Sequence, residues 1–156
     1  MENMKYSDTE FAISLNPCQV VAEVHANAVE FPRRTVREHI EYALDHPIGA
    51  GPIEDCVQPG DKVCIIISDT TRRWQQPSAY LTILVERLNQ AGIPDEDLLI
   101  LCATGTHRKQ TEAEHISLVG ENLYRRIRFI DHQCDDKEHL TYMGTTTRGT
   151  PVWLDS

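Results

Sequence analysis

Three short apolar runs, each ending in a polar loop, constrain this chain more than any other feature. Val63-Cys64-Ile65-Ile66-Ile67, Leu98-Leu99-Ile100-Leu101 and Ile127-Arg128-Phe129-Ile130 are too short for typical helices and rich in branched side chains, so they read as buried strands. The segments between them change period. Leu81, Leu84, Val85 and Leu88 recur at helical spacing from Ser78 to Gln90, and Gly92 with Pro94 ends that run. Thr111 and Glu114 form a capping box that opens a second helix, carrying Ile116, Leu118 and Val119 before Gly120. Strand, helix, strand, helix, strand in this order predicts parallel strands near residues 62–67, 98–102 and 127–131, joined by crossovers. The fold class is therefore α/β, a three-layer Rossmann-like domain with a mainly parallel sheet.

Short antiparallel strands are expected on both flanks. Residues 1–9 are polar and read as loose, while residues 11–15 and 19–25 show apolar alternation around Asn16-Pro17 and suggest an antiparallel pair. Thr35 and Glu38 form another capping box, and Val36, Ile40, Ala43 and Leu44 give a helical stripe that Pro47 and Gly49 stop. Residues 140–153 predict a hairpin or extended excursion around Arg148-Gly149. The last residues, 151–156, read as a strand still under way. Residues 1–156 are thus expected to be one N-terminal α/β domain of a longer, two-domain chain.

Composition narrows the partners. With 24 acidic and 15 basic side chains the formal charge is -9, which opposes non-specific attraction to nucleic acid or to anionic membrane. No stretch approaches the roughly 18 apolar residues that span a bilayer. The five cysteines are odd in number, widely spaced and without a Cys-x-x-Cys pair, which predicts reduced thiols in a cytoplasmic protein. Neither the dinucleotide-binding glycine triad nor the phosphate loop ending in lysine and a hydroxyl is present, so nicotinamide dehydrogenases and ordinary ATPases are disfavoured.

Sites in parallel sheets lie beyond the carboxyl ends of the strands. That rule gathers Asp69, Arg72, His107, Arg108, Asp131 and His132 near one edge. His107 can act as a general acid/base or can simply hydrogen-bond its own loop. Arg72 and Arg108 can recognise a carboxylate or phosphate with a planar fork. Asp69 can accept hydroxyl donors or cap an Asx turn; Thr104, Gly105 and Thr106 offer hydroxyls and a close backbone approach. His132, Cys134, Asp135, Asp136 and His139 are metal-ligating types, but their spacing matches no metal signature, and no metal ligand is assigned. His25, His39, His46 and His115 read as surface or packing residues.

Taken together in order, these stretches resemble a known family. Pro47-Ile48-Gly49, Pro59-Gly60-Asp61, Ser68-Asp69-Thr70-Thr71-Arg72, Thr104-Gly105-Thr106-His107-Arg108 and Gly144-Thr145-Thr146-Thr147-Arg148-Gly149-Thr150-Pro151-Val152 are similar to the amino-terminal part of the nickel-dependent lactate racemase family. The resemblance implies a two-domain enzyme that racemises or epimerises a small 2-hydroxy acid. It further implies a nickel pincer nucleotide (pyridinium-3,5-bisthiocarboxylic acid mononucleotide nickel) in the full-length protein, accepting and returning a hydride at the α carbon, and none bound to residues 1–156 alone. His107 matches a histidine that exchanges the hydroxyl proton, and Arg72 an arginine that handles the substrate carboxylate. Asp69, Thr71, Thr104, Gly105 and Thr106 would contact the cofactor, with Arg108 as a second anion donor. The second histidine, the cofactor-linking lysine and the nickel-binding histidine of the family fall beyond Ser156, so the implied partner is a C-terminal domain of the same chain. Arg73-Trp74-Gln75-Gln76 intervenes before Pro77, where the family has a proline sooner, and Trp74 would reshape the pocket. The rival readings are a related nickel-pincer oxidoreductase and a non-catalytic module that binds carboxylates or nucleotides.

Overall fold

The computed structural model describes residues 2–155, which form two compact units, one up to Arg33 and one from Arg34 onward. In the first, β1 (Glu2–Tyr6) pairs antiparallel with β2 (Thr9–Ile13). This corrects both expectations for the region. The start of the chain is a strand rather than a loose leader, and the pair lies earlier than residues 11–15 and 19–25. The cause is a two-residue turn at Ser7-Asp8, with Ser7 in the left-handed region at φ 53°. Short polar residues tolerate that conformation and set the hairpin register, with Tyr6 opposite Thr9.

The second unit opens with α1 (Val36–Asp45), whose capping box forms as the spacing predicts. Thr35 Oγ1 accepts from the Glu38 N–H at 3.3 Å, and the Glu38 carboxylate accepts from the Thr35 N–H at 2.6 Å. Next come β3 (Val63–Ser68), α2 (Pro77–Gln90), β4 (Leu98–Ala103), α3 (Glu112–Val119), α4 (Glu121–Arg126) and β5 (Arg128–Asp131). The three strands form one parallel sheet in the order β3-β4-β5, Val63 opposite Leu98 and Leu99 opposite Arg128. The α/β class with a parallel sheet is thus the fold the chain adopts. The helix α4 was not foreseen. Gly120, at φ 82°, ends α3 and lets the chain start a second helix at once.

Burial alternates along the strands and shows where the core sits. Ile67, Leu98, Ile100 and Cys102 pack with Leu81, Val85 and Leu88 of α2, Leu118 and Val119 of α3, and Leu123 of α4. Removing one such leucine side chain from water stabilises the fold by about 1.5–3 kcal/mol. Strand residues of the other parity point away from this core: Cys64 and Ile66 are exposed, and Leu99, Leu101 and Ile130 line a groove of about 370 Å³.

The tail forms the expected hairpin, β6 (Leu140–Thr145) antiparallel to β7 (Pro151–Asp155), with an irregularity between Tyr142 and Gly144. Met1 and Ser156 lie outside the described residues, so the expectation for the extreme ends is tested only in part. Among the described residues no helix is long and apolar enough to cross a membrane.

Candidate functional site

The parallel register places the carboxyl ends of β3, β4 and β5 side by side, and the polar loops follow from there. Ser68 pairs with Ala103, and Cys102 with Asp131. Just past Ser68, Asp69 caps a 3₁₀ turn over Thr70–Gln75. One carboxylate oxygen accepts from the Thr71 N–H at 3.1 Å and from the Thr71 hydroxyl at 2.5 Å. The other meets His107 Nδ1. Asp69 is buried, and burial resists its ionisation. The bonds from Thr71 and His107 outweigh that cost and hold the carboxyl below the usual carboxylate range. An ionised Asp69 can only accept, so His107 Nδ1 is the donor of this pair.

The β4 loop delivers His107 to that carboxylate. Thr104 is buried, and its hydroxyl donates to the His132 carbonyl at 2.7 Å, tying the loop to the end of β5. The His107 N–H then donates back to the Thr104 carbonyl at 3.0 Å, closing a tight turn through Gly105 at φ 59°. A Cβ at Gly105 would meet no atom, so the glycine is required by backbone conformation and not by space. The imidazole remains over half exposed, at 56%. Asp69, Thr70, Thr71, His107, Arg108 and Gln110 line one open cavity of about 250 Å³.

Other predicted site residues are placed differently. Arg108 lines the cavity, but its guanidinium forks onto Glu114 at 2.7 and 2.9 Å and donates to the Lys109 carbonyl. Glu114 also accepts from the Thr111 N–H at 2.8 Å. Arg108 first and the Thr111 N–H second draw the Glu114 carboxyl down to about 2. Arg72 lies in the 3₁₀ turn, exposed and outside the cavity lining, as does Trp74 at 70% exposure. Gly105 and Thr106 are exposed on the loop and also do not line the cavity.

Sequence reasoning missed Gln110. It is buried at 7% exposure and joins its own loop to the turn after β3 and to the end of β5: its Oε1 accepts from the Thr70 N–H at 2.9 Å, and its own N–H donates to Asp131 at 2.8 Å. His115, read as a packing residue, does pack, with its ring 4.4 Å from that of Phe129, and its Nε2 meets Asp131 at 3.0 Å. The available signal for Gln110 was faint, a polar residue directly before a capping threonine. Among the described residues no group of three or more His, Cys, Asp or Glu side chains is arranged to hold a metal ion. The hydroxyls of Thr71 and Thr104 are engaged within the protein.

Comparison with known proteins shows the family of the chain. The lactate racemase N-terminal domain profile matches residues 6–156. Lactate racemase of Lactiplantibacillus plantarum is 31% identical over 113 residues, covering 72% of this chain and 26% of that protein. Lactate racemase of Thermoanaerobacterium thermosaccharolyticum is 27% identical over 146 residues, covering 92% of this chain and 34% of that protein. The solved apoprotein of the latter superposes with a TM-score of 0.68 at 28% identity, over 78% of this chain and 28% of that one. A solved protein of Thermotoga maritima matches with a TM-score of 0.53 at 25% identity, over 71% and 24% of the two chains. This chain therefore spans 26% and 34% of the length of the two curated relatives. With a matching profile across nearly its whole length, the chain belongs to the lactate racemase family and corresponds to its N-terminal domain.

Proposed function

We propose that the full-length protein is a racemase or epimerase of a small 2-hydroxy acid, and that residues 1–156 form the N-terminal domain of a two-domain, cytoplasmic enzyme. The observation that carries the chemistry is the Asp69–His107 pair at the mouth of the cavity. Asp69 holds the ring proton on Nδ1, so Nε2 can take the hydroxyl proton of the substrate and give it back. Arg72, on the neighbouring turn, supplies a planar fork for the carboxylate. Arg108 can join only by exchanging Glu114 for the substrate anion, one carboxylate for another.

In this reading a nickel pincer nucleotide belongs to the full-length protein. The residues described here do not fit it by themselves, because they bring no metal-donor cluster together and two of the hydroxyls expected to contact it bond within the chain. The family resemblance assigns its metal donors to the remainder of the longer protein. The proton and carboxylate chemistry assigned above runs through this chain's own side chains.

The test is change of configuration at the α carbon, assayed across a panel of 2-hydroxy acids with cofactor-loaded full-length protein. Racemisation or epimerisation of at least one acid is expected. Silence across the panel, with nickel cofactor bound, would overturn the reading in favour of a non-catalytic carboxylate- or nucleotide-binding module. Net oxidation without change of configuration would move it to an oxidoreductase.

A further inference from the structure

Asp69 and His107 meet across two separate loops. The contact between them depends on what holds the loops in register. Gln110 is the side chain that does so. Its Oε1 accepts from the Thr70 N–H at 2.9 Å, directly beside Asp69 in sequence. Its Nε2 donates to Asp131 at 3.2 Å and to Cys102 Sγ, and its backbone N–H donates to Asp131 at 2.8 Å. The amide can point only one way. A flip would set its NH2 against the Thr70 N–H and its oxygen against the Asp131 carboxylate, losing each bond to a like partner. Asp131 is fully buried at its side chain, and the oxygen that accepts from Gln110 Nε2 also meets His115 Nε2 at 3.0 Å. One buried amide therefore crosslinks the ends of all three parallel strands.

We propose that Gln110 is a positioning residue which, anchored by Asp131, holds the Asp69 loop against the His107 loop and so keeps His107 in its Nδ1–H tautomer. The proposal rests on His107 being the acid/base of the reaction proposed above. It adds that the competence of His107 is set three residues downstream, by a side chain that does not touch the imidazole in this structure. A purely structural Gln110 would lower the melting temperature on substitution and leave the imidazole as it was. A positioning Gln110 would change the imidazole itself.

The readout is ¹⁵N NMR of the ring nitrogens in histidine-labelled full-length protein. In the wild type, His107 is expected to show a protonated Nδ1 and a bare Nε2. Gln110→Met keeps the side-chain length but removes the acceptor for Thr70 and the side-chain donor to Asp131, leaving the backbone N–H bond in place. Gln110→Glu keeps an acceptor but sets a carboxylate against Asp131. Either variant should release His107 to a mixture of tautomers, and in the cofactor-loaded enzyme kcat should fall roughly 10- to 100-fold with little change in KM. A folded variant with an unchanged His107 signature overturns the proposal. Should neither variant fold, amide exchange in the wild type decides: the Thr70 and Gln110 N–H groups must be protected like the core strands, and rapid exchange at Thr70 overturns the clamp. A wild type with coupled tautomer and protection but no turnover on any hydroxy acid would instead sink the proposed reaction and leave the clamp standing.

Discussion

Asp69 serves two neighbours with one carboxylate, and that shapes what single substitutions should do. His107→Ala in the cofactor-loaded full-length enzyme should cut turnover by about 10²–10⁴-fold, because a positioned acid/base contributes on that scale. The imidazole is 56% exposed, so the melting temperature should move little. Activity and thermal melts on the same preparation check both halves. Arg72→Lys should also lower kcat/KM, since a point charge does not reproduce a bidentate fork. The Asp69 carboxyl gives a pH signature. Its pKa is depressed in the folded state, so its contribution to stability is present above the unfolded value, 3.8, and is lost as pH falls through the lower folded value. Unfolding midpoints of wild type and Asp69→Asn should therefore differ most near neutrality and converge in strong acid. A gap that widens on acidification would contradict the ionised, accepting Asp69.

Among the elements, α3 is the one whose start also shapes the site. Thr111 and Glu114 cap it reciprocally, and Arg108 reaches forward to the same Glu114 carboxylate. Thr111→Ala should cost about 1 kcal/mol, which lowers the melting temperature by roughly 2–4 °C for a chain of this size. Thr35→Ala in α1 should cost a similar amount, because the same box forms there. Thermal melts of both variants check this, and a difference of several-fold would mean that the Arg108 fork contributes beyond the cap. Both boxes were legible in the sequence because caps are local, spanning three residues. The hairpin of β1 and β2 was not. Its deciding feature is Ser7 at positive φ, a turn choice that apolar alternation further along the chain obscured. Nor was α4, since Gly120 read as a stop while in fact joining two short helices.

For the whole molecule, the prediction concerns what residues 1–156 can do alone. The described residues bring Asp69 and His107 together but assemble no metal-donor cluster. The chain spans 26% and 34% of its two curated relatives. Purified residues 1–156 should accordingly hold no stoichiometric nickel and racemise nothing, while the full-length protein should do both. Nickel content and change of configuration at the α carbon on matched preparations check this, and full activity in the shorter chain would overturn the assignment. The sequence alone determined the α/β class, the three strand positions, two of the helix caps and the loops on which function is placed. Each of those rests on periodicity or on contacts within a few residues, which the order of side chains encodes directly. Only the tertiary structure decided that Asp69 bonds His107, that Arg108 is held by Glu114, and that Gln110 ties the ends of the three strands together. Those pairings follow from the register that sets Ser68 beside Ala103 and Cys102 beside Asp131. Register is a property of packed strands, set by which apolar faces meet, and no local pattern of residues carries it.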